Sequence, residues 1–146
     1  WSMSAAAAVL LVVCAGFAWH FLAGPDIYRV YENNTETVTT VTLDDGTQVW
    51  LNSESSLVFP VRFGDGPREV TVTGEAYFDV AHDASRRFVV HADTVSVSVY
   101  GTAFNISSYA DEGAIETTLV RGSVEVRSGH RRAMLQPGQQ VFGLTV

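Results

Sequence analysis

The sequence predicts an all-β domain of about ten short strands, an irregular β-solenoid or β-roll in outline, preceded by one apolar transmembrane helix. Three observations carry this expectation. Residues 1–25 contain no Asp, Glu, Lys or Arg. Beyond them apolar and polar residues alternate with period two, and Val, Thr, Phe and Tyr are prominent, which suits half-buried strands. Glycine and Asp-Gly pairs interrupt the alternation where turns are needed. With 146 residues, 47% hydrophobic and 17% charged, the chain suits one compact domain and is too apolar to remain disordered.

The first element is the run Ala5-Ala6-Ala7-Ala8-Val9-Leu10-Leu11-Val12-Val13-Cys14-Ala15-Gly16-Phe17-Ala18. About 20 apolar residues at 1.5 Å each cross the roughly 30 Å hydrocarbon layer of a bilayer. Trp1 at one end, and Trp19, Phe21 and Tyr28 toward the other, suit the headgroup interface, with His20 among them. A cleaved secretory signal would start with basic residues and have a shorter apolar stretch. A lipoprotein would place a small residue before its cysteine, whereas Val13 precedes Cys14, so Cys14 reads as a small apolar helix residue. A buried helix of a soluble domain would show a polar face, and none is present. The chain begins with Trp rather than Met, so preceding residues are expected to carry the orienting charges. The expected organisation is a helix over 1–25, a linker over 26–37 and a β domain over 38–146.

Within the β domain, Val38 to Leu43, Val70 to Thr73 and Val95 to Val99 show the alternation most plainly. Turns are expected at Asp44-Asp45-Gly46, Gly64-Asp65-Gly66-Pro67, Asp111-Glu112-Gly113, Ser128-Gly129 and Gln136-Pro137-Gly138. Gly46, Gly74, Gly101, Gly122 and Gly138 each separate two apolar runs, at shrinking intervals of 28, 27, 21 and 16 residues. Stacked coils would explain such a repeat, because each strand-Gly-strand unit must bury its apolar face on a neighbour. A β-sandwich or barrel fits the same spacing. Phe78, Val80, Phe88, Val97, Phe104 and Val124 are expected in the core.

The chemistry the chain could perform is narrowed by what it lacks. Its nine basic residues are all Arg, against 16 acidic ones, for a net charge of −7. That sign opposes nucleic-acid binding. Without Lys there is neither a Walker A lysine nor a Schiff-base lysine. One cysteine can form no intrachain disulfide and no multi-cysteine metal site. The signatures Gly-x-Ser-x-Gly, His-Glu-x-x-His and Gly-x-Gly-x-x-Gly are absent, and His20, His82, His91 and His130 stand singly rather than as the paired ligands of a metal-binding barrel. Asp79, His82, Asp83, His91 and Asp93 form one local ionisable cluster; they suit a divalent cation only if strand pairing gathers them, and otherwise decorate a solvated hairpin. Glu75 lacks the positioned partner of a general base and reads as a turn acceptor. Arg86-Arg87 reads as a solvated turn. Asn33-Asn34-Thr35 and Asn105-Ile106-Ser107 fit the glycosylation sequon, with nothing else to indicate that route. No catalytic residue, cofactor or metal is expected.

The order of the strand units carries more information than any one of them. Thr42-Leu43-Asp44-Asp45-Gly46-Thr47-Gln48-Val49-Trp50-Leu51-Asn52-Ser53-Glu54-Ser55-Ser56-Leu57 is followed by Arg68-Glu69-Val70-Thr71-Val72-Thr73-Gly74-Glu75-Ala76-Tyr77-Phe78-Asp79-Val80-Ala81. Phe88-Val89-Val90, then Val99-Tyr100-Gly101-Thr102-Ala103-Phe104-Asn105-Ile106, Val120-Arg121-Gly122-Ser123-Val124-Glu125-Val126 and Leu135-Gln136-Pro137-Gly138-Gln139 complete the series. In this order, behind an apolar helix, they resemble the ferric citrate regulator (FecR) family of bacterial membrane-anchored anti-sigma factors. Arg87 stands where that family usually has a Pro before Phe88, and Asp44 where a Pro often precedes the Asp-Gly turn. The resemblance marks Asp45, Gly46, Asn52, Gly74, Glu75, Phe78, Val80, Phe88, Gly101, Thr102, Phe104, Gly122, Pro137 and Gly138 as structural motif positions.

It also implies an inner-membrane, single-pass protein with its β domain in the periplasm. A cytoplasmic segment would hold an extracytoplasmic-function (ECF) sigma factor, and a C-terminal domain would meet the signalling domain of a TonB-dependent outer-membrane transporter; neither is recognisable in these residues. Two rival functions are an extracytoplasmic carbohydrate- or ligand-binding module stacking its ligand on Trp50, Tyr77, Tyr100 and Tyr109, and a metal-dependent hydrolase built on the His82 cluster.

Overall fold

The computed structural model describes residues 5–22 and 27–144. Helix α1 spans Ala5–Leu22. At 1.5 Å per residue its 18 residues reach about 27 Å, less than a hydrocarbon core of roughly 30 Å. Among the described residues no helix is long and apolar enough to cross a membrane, so the transmembrane helix expected over 1–25 is not found there. Trp1 and Pro25 lie outside the described residues, as do the side chains of Trp19, His20 and Phe21.

Twelve strands follow, rather than about ten: β1 (Tyr28–Asn33), β2 (Thr39–Thr42), β3 (Gln48–Leu51), β4 (Ser55–Pro60), β5 (Arg68–Asp79), β6 (Phe88–Ala92), β7 (Val95–Val99), β8 (Ala103–Ser108), β9 (Ala114–Arg121), β10 (Val124–Ser128), β11 (Arg131–Leu135) and β12 (Gln140–Leu144). Strand β1 falls in the stretch 26–37 read as a linker and pairs along the whole of β4. Its side chains are exposed except Asn33, which is why no period-two burial signal marks it.

The organising strand is β5. Its first half pairs with β4 (Leu57 beside Val72) and, in parallel, with β6 (Val70 beside Val90). From β6 the sheet continues through β7 and β10 to β11. The second half of β5 pairs with β3 (Val49 beside Phe78) and with β8 (Phe78 beside Phe104), and the sheet then runs through β9 to β12. The two arms form a nearly closed barrel-like sheet. This corrects the solenoid expectation. Coils of a solenoid would pair equivalent strands in parallel, whereas here every pairing but β5–β6 is antiparallel. The glycines that suggested coils occupy tight turns and one bend.

That bend is at Gly74. A straight 12-residue strand would hold its ends roughly 40 Å apart, yet the Arg68 side chain at the start of β5 hydrogen-bonds the carbonyl of Ala81, two residues past its end, at 2.9 Å. The strand therefore folds over on itself, and Gly74, at φ +84°, is where it turns. A Cβ there would collide with the Ser55 hydroxyl and lie 2.9 Å from the Ser55 Cα. The in-out alternation of β5 passes through the bend unbroken. Val70, Val72, Ala76 and Phe78 consequently all face one core, with Phe88, Val97, Phe104 and Val124. At its centre the Phe78 and Phe104 rings stack 5.2 Å apart at 12°.

Gly46 provides the control for the bend. It too has positive φ, +87°, but a Cβ there meets nothing within 4 Å. Gly74→Ala is expected to lower stability by roughly 2–4 kcal/mol, combining backbone strain with the collision, and Gly46→Ala by about 1–2 kcal/mol from strain alone. Urea unfolding of the two variants measures the difference; equal losses would show that the corner at Gly74 is not tightly packed.

Candidate functional site

The motif positions group into a buried cluster, a half-buried cluster and a set of turns. The first cluster surrounds Arg68, whose side chain is 1% exposed. Its Nη1 donates to Asp45 Oδ2 at 2.7 Å and to the Ala81 carbonyl, while Nε and Nη2 both donate to the carbonyl of Arg86. The guanidinium also lies over the Phe88 ring, 5.4 Å from its centroid. Asp45 meanwhile holds its own turn, accepting from the Thr47 amide and hydroxyl at 2.9 Å each, and Gly46 completes that turn by donating to the Leu43 carbonyl. Sequence reasoning did not single out Arg68. The signal was present, because period two places Arg68 on the face of Val70 and Val72, where an unpaired charge is too costly to bury.

The second cluster sits at the Gly74 corner. Glu75 accepts from Asn52 Nδ2 and Asn105 Nδ2, one on each carboxylate oxygen, at 2.8 Å. Its amide donates to Ser55 Oγ and its carbonyl accepts from the Asn52 amide, both at 2.9 Å. Tyr109 closes the group by donating to the Ser53 carbonyl at 3.0 Å. Glu75 is thus a brace joining three segments. Asn105 was missed as its partner because the two are brought together only by β5–β8 pairing.

The remaining motif residues fix turns. Val80 donates to the Thr102 carbonyl, and the Thr102 hydroxyl donates to the Ser123 carbonyl, both at 3.0 Å. Gly101 is needed for close approach: a Cβ there would lie 2.8 Å from the His82 Cα. Gly122, at φ +98°, starts the β9–β10 turn against Thr102. Pro137 and Gly138 occupy the turn before β12, where Gly138 donates to the Leu119 carbonyl at 2.9 Å.

The ionisable cluster weighed as a metal site is dispersed. Asp79 pairs with Arg121 at 2.7 Å, Asp83 with Arg86 at 2.8 Å, and His91 with Glu69 at 3.0 Å. Among the described residues no three His, Cys, Asp or Glu side chains are grouped as a metal ion would need. His82 instead lines a depression of about 310 Å³ with Arg87, Tyr100, Glu125 and Met134. The four aromatics weighed as stacking platforms do not share a face: Trp50 and Tyr77 pack edge to face on each other at 5.5 Å, Tyr109 belongs to the corner and Tyr100 is exposed. Asn33 of the first sequon is 2% exposed, and its amide nitrogen lies 2.8–3.0 Å from the carbonyls of Thr37, Leu51 and Asn52. Among the described residues Asp83 shows a clear shift in acidity. The Ser85 hydroxyl and then the Arg86 guanidinium hold its carboxyl well below the usual carboxylate range.

The site so defined is a structural frame of part-buried hydrogen bonds in a bent, nearly closed β domain. Comparison agrees: residues 29–125 match the family described as FecR protein, and the chain belongs to that family. Two crystal structures of a protein described as an anti-sigma factor, from Parabacteroides distasonis ATCC 8503, are similar at 31% identity. The 2.50 Å structure gives a TM-score of 0.76 with 80% of this chain and 55% of that one covered; the 1.65 Å structure gives 0.75 with 78% and 54%. The chain therefore spans about half the length of those proteins. No curated protein matches.

Two outcomes test the frame. Asp45→Ala, which leaves Arg68 buried and uncompensated, is expected to cost about 3–5 kcal/mol, whereas Asp79→Ala at the exposed Arg121 pair costs about 0–1 kcal/mol; matching unfolding midpoints would refute the central role of the buried pair. For Asp83 the folded state has the lowered value, so its contribution is complete above the ordinary value of 3.8 and is lost as pH falls through the lower folded one. The stability difference between wild type and Asp83→Asn should be level from neutral pH down to that ordinary value and shrink below it. A difference that already declines between neutral pH and that value would contradict the assignment.

Proposed function

We propose that this chain is the regulatory part of an anti-sigma factor that acts on an ECF sigma factor, its β domain relaying a signal that originates at a TonB-dependent outer-membrane transporter. The observation that carries the reading is the family membership, together with 31% identity to a protein described as an anti-sigma factor over 80% of this chain. The site chemistry supports a binding and relay role over an enzymatic one. Glu75, Asp45 and Arg68 are each committed to neighbours within the fold, so none of the three is free to serve as a general acid or base.

The apolar N-terminal segment supports attachment to a membrane, and the family reading supplies the side: the bacterial inner membrane, with the β domain in the periplasm. Val9, Leu10, Leu11, Val12 and Val13 are 59–73% exposed. Five consecutive residues cover every side of a helix, so an apolar surface all round requires an apolar environment. Sigma-factor binding is assigned to a cytoplasmic segment and transporter contact to a C-terminal domain, both outside these 146 residues.

In a reporter strain the full-length protein should repress its sigma factor until the inducing signal arrives. These 146 residues alone should neither retain the sigma factor in a pull-down nor repress it; tight binding by them would overturn the division of roles. Single cysteines at Ser53 and Ser128 should react with an impermeant thiol reagent in intact spheroplasts, and failure of both would reverse the orientation.

A further inference from the structure

We propose that β1 is an interface strand at which two copies of this chain pair antiparallel about Val30, joining their sheets. The inference goes beyond the anti-sigma reading and does not depend on it. Strand β1 lies between α1 and β2, and among the described residues it pairs with β4 alone, so its other edge is unpaired. An open edge is ordinarily blunted by Pro, Lys or a bulge. The run Tyr28-Arg29-Val30-Tyr31-Glu32-Asn33 has neither Pro nor Lys, and its register with β4 is unbroken over all six residues. Tyr28, Val30 and Tyr31 are exposed on it. Tyr28 and Val30 stand opposite the half-buried Pro60 and Val58 of β4, so the apolar surface continues across two strands.

Backbone direction limits how the second copy can pair. The Val61 amide donates to the Ile27 carbonyl at 2.8 Å, and in an antiparallel ladder the direction of these groups alternates along the strand. Arg29, Tyr31 and Asn33 therefore turn their amides and carbonyls toward β4, and Tyr28, Val30 and Glu32 turn theirs to the open edge. Pro60 agrees with this assignment, because it stands opposite Tyr28 and has no N–H to give across the ladder. Like groups must meet like, so a two-fold axis passes through a residue. Charge then selects which residue. Centring on Arg29 would oppose arginine to arginine, and centring on Tyr31 would set Val30 against Glu32. Centred on Val30, the strand meets its copy along its whole length: Val30 faces Val30, Tyr28 faces Glu32 and Arg29 faces Tyr31. The Tyr28 hydroxyl can then donate to the Glu32 carboxylate, and the Arg29 guanidinium can lie on the Tyr31 ring. A partner of unrelated sequence has no such match built into β1 itself.

The test uses the full-length protein in isolated membranes, with Cys14→Ala as the background and single cysteines added to it. Val30→Cys should form a disulfide-linked dimer on mild oxidation, because the two Val30 Cα atoms would lie about 5.5 Å apart. Glu32→Cys should not, since its two copies would lie roughly 14 Å apart along the ladder. In detergent, sedimentation should show a dimer whose dissociation constant rises about tenfold or more in Val30→Lys, where two ammonium groups would meet on the axis. Val30 is 62% exposed in the single copy, so the lysine leaves the fold itself intact. Val30→Pro, which removes an N–H that β4 does not use, should weaken the dimer in the same way; should that variant unfold, Val30→Lys carries the comparison. A monomer at all concentrations, cross-linking of Glu32→Cys as fast as that of Val30→Cys, a dimer that Val30→Lys leaves unchanged, or cross-linking of Val30→Cys to a different protein in place of its own copy would each overturn the proposal. The readout is association and not repression, so the interface and the sigma-factor role can fail separately.

Discussion

Arg68 is the point on which the architecture depends. A guanidinium withdrawn from water must have its donors satisfied and its charge balanced, and in this fold the acceptors come from four places: the Asp45 turn, the Ala81 carbonyl, the Arg86 carbonyl and the face of Phe88. Those places belong to the β2–β3 hairpin, the exit from β5, and the segment that leads into β6. Holding them together requires the two ends of β5 to meet. A charge buried at one end of a strand thereby dictates that the strand bends, and the bend divides the sheet into two arms around a single core.

The Gly74 corner is the mechanical counterpart of that constraint. Only a residue without Cβ fits against Ser55 at positive φ, and the backbone groups at the corner are paired there: the Glu75 amide donates to Ser55 Oγ, the Glu75 carbonyl accepts from the Asn52 amide, and the Gly74 carbonyl accepts from the Ser108 hydroxyl. Glu75 joins the β3–β4 connection to β8 through two asparagines. Glu75, read from the sequence as a turn acceptor, is in this way a fastening whose carboxylate holds three segments in register.

Stability is consequently uneven across the molecule. The closed side, around β3, β5 and β8, has buried aromatics, a buried ion pair and braced corners. The open side, at β11 and β12, has exposed arginines, an exposed Phe142 and free strand edges. Regions with few buried contacts open at the lowest free energy, so β11 and β12 are expected to open before the arm around β5.

The sequence by itself determined most of the strands, the faces they bury and the family. Alternation of Val70, Val72, Ala76 and Phe78 is a local property of β5, and the ordered Gly-centred motifs survive without knowledge of any contact. The same periodicity held the information that Arg68 faces inward, because side-chain direction in a strand follows from position alone. Tertiary structure decided who stands opposite whom. The solenoid and the barrel-like sheet share spacing and composition and differ only in pairing, and pairing joins residues such as Glu75 and Asn105, or Arg68 and Asp45, that the chain separates by 30 and 23 positions. Strand β1 was invisible for a related reason, since an edge strand exposed on both faces has no burial pattern to write into its residues.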